Sequence, residues 1–507
     1  MNAPALLALL ASLPPLLAAA AIAVRMTAGR DAGDAQEIPT ARLATGAGLV
    51  SLAAVLALDM LALARGAGFG TLDYGVWLAS GEFELRFSFL PDARALILST
   101  LVATIGWLTL RFSVAYLHRE PGFHRFFFAL SLFLGGMQFI ALAGGLAVTF
   151  AGWELAGLSS YLLIGYARER EQAADNALRA FVTNRIGDTG LIAAMAAAFL
   201  SYGSLQWQPL AAMSATQPSL AAATVAAGLV VAALVKSAQL PFAPWIARAL
   251  EGPTPSSAVF YGALLVHAGV YLLIRAEPLL ARAPALMAVL AALGLLTALY
   301  GWLAGLAQTD VKSALMFSTT TQVGWMFVAL GLGWNDWALA HLVLHASFRA
   351  WQFLSAPSFL QNAPAPPRAR LTGWLWGRRL HLAVLHRFWL EPASDRLLVT
   401  PTLQLARDTD AFDERVLSRI VGMPPALAGR SEAPGDAVIA ARGLAGRALY
   451  LLAERLERFE RRLVPQGGEA SRRVRTRWGE SLVAIEALLE QPRYLVLLVM
   501  VTLVVIL

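Results

Sequence analysis

The sequence predicts an all-α polytopic membrane protein with about twelve transmembrane helices. Of its 507 residues, 58% are hydrophobic and 14% are charged, whereas soluble domains average about 25% charged residues. Apolar runs of about 20 residues, the length that crosses a bilayer, recur until Pro357. The chain has no cysteine, which excludes disulfides, thiolate metal sites and Fe–S clusters.

The predicted spans follow these apolar runs from the amino terminus onward. They cover 3–24, 42–65, 92–114, 124–143, 145–167, 176–200, 219–240, 255–275, 284–306, 312–333, 336–356 and 492–507. The first run lacks the basic flank of a secretory signal peptide, so we expect it to be a membrane span.

The charges of the loops predict the orientation in the membrane. Arginines cluster in the first, third and fifth loops, for example at Arg25, Arg119 and Arg168, whereas the second loop carries Asp73 and Glu84. The positive-inside rule therefore predicts cytoplasmic odd loops and an outside amino terminus. Topology and lipid headgroups also explain the net charge of +7, so we expect no nucleic-acid partner.

The pattern divides the chain into five segments. Polar and apolar residues alternate over 81–89, which predicts a short outside strand or hairpin in the second loop. The residues after Pro357 mix charged and apolar positions without a clean span, and a later stretch reads as an amphipathic helix or, alternatively, a solvated coiled coil. The segments are amino-terminal helices with the hairpin (1–115), a proton-translocation core (116–357), a cytoplasmic or interfacial linker (358–435), amphipathic helices (436–490) and a terminal anchor span (491–507).

Lysine usage singles out two positions. Of the 40 basic residues only Lys236 and Lys312 are lysines, and the others are arginines. Arginine does not release its proton in proteins, whereas a buried lysine can. Lys236 also ends an apolar run and is followed by Pro241 and Pro244, which break a helix. The two lysines are therefore candidates for groups that gain and lose protons.

Ten polar side chains lie within or at the ends of the predicted spans of the core. They are Glu154, Arg185, Asp188, Lys236, Tyr261, His267, Asp310, Lys312, His341 and His345. Ionisable residues are costly within a bilayer, so they are functional candidates by default. We interpret this set as a proton relay in which Glu154 holds Lys236 charged until the pair separates.

Several of these residues also have structural interpretations. His341 and His345 could form ordinary interhelical hydrogen bonds, and Arg185 with Asp188 could be a buried pair that fixes helix register. The hydroxyl cluster 318–321 could serve helix packing. The two histidines lack the glutamate and the thiolate of common zinc motifs, so we expect neither a metal nor a cofactor.

At these residues the chain resembles the antiporter-like membrane subunits of respiratory complex I and Mrp cation/proton antiporters, over roughly residues 70–357. The motifs that carry the resemblance are Gly152-Trp153-Glu154, Ser159-Ser160-Tyr161, Asn184-Arg185-Ile186-Gly187-Asp188, Lys236-Ser237-Ala238-Gln239-Leu240-Pro241, Gly252-Pro253-Thr254-Pro255 and Asp310-Val311-Lys312. The resemblance implies a coupled pair of Glu154 and Lys236 on discontinuous helices, and a central stripe that includes His341 and His345.

The chain departs from this family at three points. Tyr261 stands where the family usually has histidine, Arg349 stands where it has lysine, and the second of its two inverted five-helix repeats stops after three helices. This truncated pattern is similar to the membrane subunit of DAB inorganic-carbon accumulation complexes. That resemblance implies a large soluble, zinc-containing, carbonic-anhydrase-like partner subunit.

The resulting functional hypothesis is a transport subunit without catalysis of its own. It conducts H+ or Na+ inward down the electrochemical gradient and couples this flow to carbon dioxide hydration in the partner. The alternatives are a cation-translocating subunit of an NADH:quinone oxidoreductase-like or Mrp-type complex, and a non-conducting membrane scaffold.

Overall fold

The computed structural model describes residues 2–412 except 32, 81–82, 309 and 357–377. It is a bundle of long helices with one two-stranded hairpin in the described part. The predicted amphipathic helices, the terminal anchor and much of the linker lie outside the described residues. The helices of the first half are α1 (Ala3–Thr27), α2 (Glu37–Arg65), α3 (Ala93–Tyr116), α4 (Phe123–Leu142), α5 (Leu146–Ile164), α6 (Glu171–Tyr202), α7 (Trp207–Thr216) and α8 (Ser219–Lys236).

The second half contains shorter and more irregular elements beside three long helices. These elements are α9 (Pro244–Arg248), α10 (Thr254–Ser257), α11 (Ala268–Arg275), α12 (Glu277–Leu280), α13 (Pro284–Leu306), α14 (Val311–Gly331), α15 (Asn335–Ser355), α16 (Arg378–Leu385), α17 (Leu390–Ser394) and α18 (Thr400–Phe412). Within the described residues after α15, no helix is longer than the 13 residues of α18.

The described helices match eleven of the predicted spans in position. Among the described residues, eight segments are long and apolar enough to cross a membrane. The helices α6, α14 and α15 have sufficient length, with 32, 21 and 21 residues, but they are not among those eight. Five of the ten predicted polar residues lie on these three helices, so half of the candidate site residues stand on the more polar helices: Arg185, Asp188, Lys312, His341 and His345.

A two-stranded hairpin lies where the alternating pattern predicted a strand or hairpin, and its place outside the membrane stays a prediction. Strands β1 (Leu72–Ser80) and β2 (Phe83–Phe89) pair antiparallel, with Leu72 opposite Phe89. A bridge from Phe89 to Ala143 ties the hairpin to the turn between α4 and α5. This contact fixes the start of α5, the helix that carries Glu154.

Small residues let the helices of the core approach closely. A Cβ added at Gly228 in α8 would lie 2.6 Å from the Gly190 carbonyl oxygen in α6. Only glycine permits this contact between the two backbones. The close packing of α6 and α8 sets Lys236 beside the polar residues of α6.

Ion pairs gather the loops at the two ends of the bundle. At one end, Arg119 pairs with Asp34 at 2.8 Å, which joins the third loop to the first. At the other end, Arg94 at the start of α3 bonds Glu277 and also Asp336 at the start of α15. The first and third loops thus share one end, and the segments around Arg94, Glu277 and Asp336 share the other, as the predicted alternation of loops requires.

Candidate functional site

Lys236 lies at the point where a membrane helix is interrupted. Helix α8 ends at Lys236, and the chain then turns through Ala238, which has a left-handed φ of 50°, before α9 begins. The Trp245 indole donates to the Val235 carbonyl oxygen at 2.9 Å and so closes this turn. The interruption predicted from Pro241 and Pro244 is therefore present.

The Lys236 side chain is buried against α5. It is 1% exposed, and its Nζ lies 3.4 Å from the Trp153 carbonyl oxygen, to which it donates. The ammonium also lies 4.8 Å from the centre of the Trp153 ring, within the range of a cation–π interaction. A tryptophan face and a carbonyl oxygen thus replace part of the hydration of this cation.

Glu154 pairs with Arg185 instead of Lys236. Arg185 Nη1 lies 2.6 Å from Glu154 Oε2, and Nη2 lies 2.8 Å from Asp188 Oδ2. Among the described residues, Lys236 has no carboxylate oxygen within 4.0 Å. The expected direct contact of Glu154 with Lys236 is therefore absent from this conformation, because the arginine fork reaches both carboxylates at once.

Gly157 leaves the space in which the two cations approach each other. A Cβ at this position would lie 3.3 Å from Lys236 Nζ and 3.5 Å from Arg185 Nη2. Gly157 stands three residues after Glu154, so the same turn of α5 supplies the carboxylate and the gap. Lys236, Arg185, Glu154 and Asp188 consequently form one charge cluster, which we call the lysine cluster.

The members of the lysine cluster differ in exposure. Asp188 is nearly fully buried, whereas the side chains of Glu154 and Arg185 are 29% and 33% exposed in the isolated chain. The predicted pair of Arg185 and Asp188 on one face of α6 is present. It forms one half of a bridge between α6 and α5.

A second group of polar side chains centres on two histidines. His267 Nε2 and His345 Nδ1 are 3.1 Å apart, and both residues are buried. His341 bonds Gln322 at 3.0 Å, and Arg349 donates to Ser318 at 2.9 Å. The face of α15 that bears His341, His345 and Arg349 therefore contacts α14 and the interrupted span before α11.

The span that carries His267 departs from the predicted regular helix. After α10 the chain forms a π turn over Ala258–Ala263 and a 3₁₀ turn over Leu265–His267 before α11 begins. Such turns within helices are frequent at functional sites. The sequence offered no signal of this second interruption, because Pro255 lies at the start of α10, where proline is compatible with a helix.

The remaining predicted residues have separate surroundings. Lys312 donates to Thr254 Oγ1 at 2.5 Å, and this hydroxyl also lies 2.9 Å from the Tyr116 hydroxyl. Asp310 caps the amino terminus of α14 by accepting from the Ser313 amide at 2.8 Å. The Tyr261 hydroxyl donates to the Ala249 carbonyl oxygen.

The structure thus groups the ten predicted residues unequally. Four form the lysine cluster, and the three histidines form the second group together with Arg349. The contacts of Thr254 with Lys312 and with Tyr116 were not predicted, since no spacing in the sequence relates α14 or α3 to the start of α10. Within the described residues, no three histidine or acidic side chains are placed to hold a metal ion.

Two family models match this chain. "NADH:quinone oxidoreductase/Mrp antiporter, TM" matches residues 143–379, and "NADH-Ubiquinone oxidoreductase (complex I), chain 5 N-terminus" matches residues 77–127. The first match contains the lysine cluster and the histidine group, and the second contains much of the hairpin and all of α3.

Similar proteins are found among curated sequences and solved structures. The chain is 38% identical over 292 residues to NAD(P)H-quinone oxidoreductase subunit 5 from the chloroplast of Ipomoea purpurea, which covers 56% of this chain and 41% of that protein. It is 36% identical over 312 residues to NADH-quinone oxidoreductase subunit L of Pseudomonas aeruginosa, which covers 61% of this chain and 50% of that protein.

A solved structure of the Mrp complex from Dietzia sp. DQ12-45-1b matches with a TM-score of 0.56 and 28% identity, over 69% of this chain and 36% of the matched chain. This chain spans at most half the length of these three proteins. Family models, relatives and fold agree, and the chain belongs to the antiporter-like membrane subunit family of complex I and Mrp antiporters.

Proposed function

We propose that the chain is a proton-conducting, or sodium-conducting, subunit that couples inward cation flow to a partner. The observation that carries this proposal is the buried Lys236 at the end of an interrupted helix, beside Arg185, Glu154 and Asp188. A lysine buried against a tryptophan exists as an ammonium or as a neutral amine, and it can change between them when neighbouring charges move.

In this proposal Glu154 alternates between the two cations of the lysine cluster, Arg185 and Lys236. In the present conformation Arg185 holds Glu154. If Glu154 swings to Lys236, the ammonium is stabilised. If it returns to Arg185, the ammonium loses its carboxylate and can pass a proton to water, which leaves a neutral amine ready to accept the next proton. Arg185 keeps its own charge throughout.

The histidine group provides a route along the middle of the membrane. The imidazoles of His267 and His345 share one hydrogen bond of 3.1 Å, so a proton taken up on one ring can leave from the other. His341 and Gln322 continue this group. Lys312 with Thr254 is a separate candidate for proton exchange at the start of α14.

The proposed partner is a large soluble zinc-containing subunit that resembles carbonic anhydrase and hydrates carbon dioxide in the cytoplasm. The resemblance to the DAB membrane subunit supports this choice. The lack of a span-length helix among described residues 378–412 also fits a subunit with a shortened second repeat. In this proposal the amino terminus lies outside a bacterial inner membrane, and inward proton flow makes bicarbonate formation effectively one-way.

The alternative of the same class is a cation-translocating subunit of a quinone-reducing or Mrp-type complex, and the named relatives support it. Purification of the chain from its native membrane separates the two. A co-purifying soluble protein that contains zinc supports carbon accumulation, whereas flavin and Fe–S subunits, or other antiporter subunits, contradict it.

The alternative of another class is a membrane scaffold that conducts no ions. Proton uptake into proteoliposomes, followed with a pH-sensitive dye under an imposed membrane potential, distinguishes this case. We expect uptake with the native protein and its loss in Lys236→Ala. Uptake by the native protein no faster than by protein-free liposomes, at equal protein incorporation, would leave the scaffold as the better description. Equal uptake by the native protein and Lys236→Ala would instead reject conduction through Lys236.

A further inference from the structure

Residues 387–399, which follow the long helices, pack near the turn after Lys236, and we call this segment the strap. It consists of a turn over Arg387–Trp389, α17, and a π turn over Asp395–Val399. Its first three residues all have left-handed φ angles, of 50°, 57° and 52°. Such angles are unfavourable for residues other than glycine, so the surrounding contacts must maintain them.

Glu391 connects the strap to α9. Its Oε2 accepts from Arg248 Nη2 at 2.8 Å and from Arg248 Nε at 3.1 Å, which is a two-pronged contact. Its Oε1 accepts from Arg387 Nη1 at 2.7 Å. Both oxygens of this carboxylate are therefore bound, and its side chain is only 19% exposed.

Asp395 connects the strap to α6. Its Oδ2 lies 3.0 Å from Arg179 Nη1. Arg179 stands six residues before Arg185 on the same helix, so the strap grips the part of α6 that leads into the lysine cluster. Glu391 and Asp395 together bind α9 and α6 across a cleft lined by Thr183 and Trp245.

Trp245 relates this cleft to Lys236. The residue lines the cleft and donates its indole N–H to the carbonyl oxygen of Val235, next to Lys236. Arg248, the residue that Glu391 holds, is the last residue of the five-residue helix α9 that contains Trp245. Helix α9 therefore connects Arg248 to the hydrogen bond that closes the turn after Lys236.

We propose that Glu391 and Asp395 are positioning residues that keep this turn closed, and that their release opens water access to Lys236 from the strap side. This inference rests on the proposed proton conduction through Lys236. It adds a site of control, because a change in the contacts of the strap would change the access of water to Lys236.

The test uses the absence of cysteine from the native sequence. Ser237→Cys places a thiol next to Lys236, at a side chain that is 1% exposed. A matched reporter, Ser131→Cys in α4, is also 1% exposed and lies away from the strap. The full chain, with its co-purifying subunits, is treated in sealed vesicles with a membrane-impermeant methanethiosulfonate reagent, and labelling of this chain is followed by mass spectrometry.

We expect Glu391→Gln with Asp395→Asn to raise the labelling rate at position 237 by about tenfold, as a shift in the population of a locally open state. The rate at position 131 should stay unchanged. Glu169→Gln is the control, because it removes an exposed ion pair with Arg168 outside the strap. The charge-swapped variant, which combines Arg179→Asp with Asp395→Arg, should be labelled at position 237 more slowly than Asp395→Arg alone, because the swap restores an ion pair between the two positions.

An unchanged rate at position 237 in the double variant would overturn the proposal, and so would an equal rise at positions 237 and 131, which indicates general loosening. If the variant with Glu391→Gln and Asp395→Asn is poorly folded, the charge-swapped variant provides the test. Labelling of the charge-swapped variant as fast as that of Asp395→Arg alone would contradict the proposal. The labelling does not require ion flux, so it can succeed even if Lys236→Ala leaves proton uptake intact. That combination would reject conduction through Lys236 while retaining the strap contact.

Discussion

Arg185 Nη1 lies 2.6 Å from Glu154 Oε2, whereas the Lys236 ammonium lies over the ring of the neighbouring residue Trp153, 4.8 Å from its centre. The carboxylate that was expected to stabilise the lysine is thus engaged by a cation that cannot deprotonate. The described conformation is therefore one in which Lys236 lacks a direct carboxylate contact.

Gly157 is expected to be essential for the approach of Lys236 and Arg185. A Cβ at position 157 would lie only 3.3 Å from Lys236 Nζ, so the side chain in Gly157→Leu occupies the space beside the ammonium. We expect proton uptake in proteoliposomes to fall by about tenfold, which corresponds to about 1.4 kcal/mol in the rate-limiting barrier. The control is Gly46→Leu in α2, where a Cβ has no neighbour within 4 Å. Equal uptake by the two variants would contradict the role of the gap.

His345 is expected to carry protons through its contact with His267. His345→Gln retains a polar side chain but removes the ring that accepts a proton on one nitrogen and releases it from the other. We expect uptake to fall by about 100-fold, within the range observed for loss of a positioned acid or base. His118→Gln, in a loop, should leave uptake unchanged. If His345→Gln also conducts normally, the pair has only a structural role.

Asp310 is expected to act as a helix cap. Asparagine caps a helix about as well as aspartate, whereas alanine costs about 1 kcal/mol. Asp310→Asn should therefore keep both stability and uptake, while Asp310→Ala should lower the thermal midpoint in detergent. Loss of uptake in Asp310→Asn, with its thermal midpoint preserved, would show instead that the carboxylate takes part in proton transfer.

Thr254 is expected to hold Lys312 through its hydroxyl. Thr254→Val keeps the shape but removes the group that lies 2.5 Å from Lys312 Nζ and 2.9 Å from the Tyr116 hydroxyl. We expect a fall in uptake of about tenfold in the valine variant, and near-native uptake in Thr254→Ser. The idea that Lys312 exchanges protons through this hydroxyl fails if valine and serine variants behave alike.

The sequence predicts most of the helix positions because apolar length and flanking polar residues determine them locally. Pro241 and Pro244 likewise announce the interruption after Lys236. The interruption at 258–267 has no such signal, since it accompanies the contact between His267 and His345, which are 78 residues apart.

The sequence also could not predict which cation pairs with Glu154. Two cations, the partly exposed Arg185 and the buried Lys236, lie on helices next to Glu154, and sequence spacing alone gives no preference between them. In the described conformation Arg185 binds Glu154, because its two terminal nitrogens contact the Glu154 and Asp188 carboxylates at the same time. Packing through Gly157, Gly190 and Gly228 then decides the distances.

The central claim is that Lys236 acts by releasing and regaining a proton. Lys236→Arg tests it most directly, because arginine keeps the positive charge and a long side chain but does not deprotonate. In proteoliposomes with an imposed membrane potential and equal protein incorporation, we predict that Lys236→Arg takes up protons no faster than Lys236→Ala. Uptake by Lys236→Arg at the native rate would contradict the account, because a fixed charge would then be sufficient.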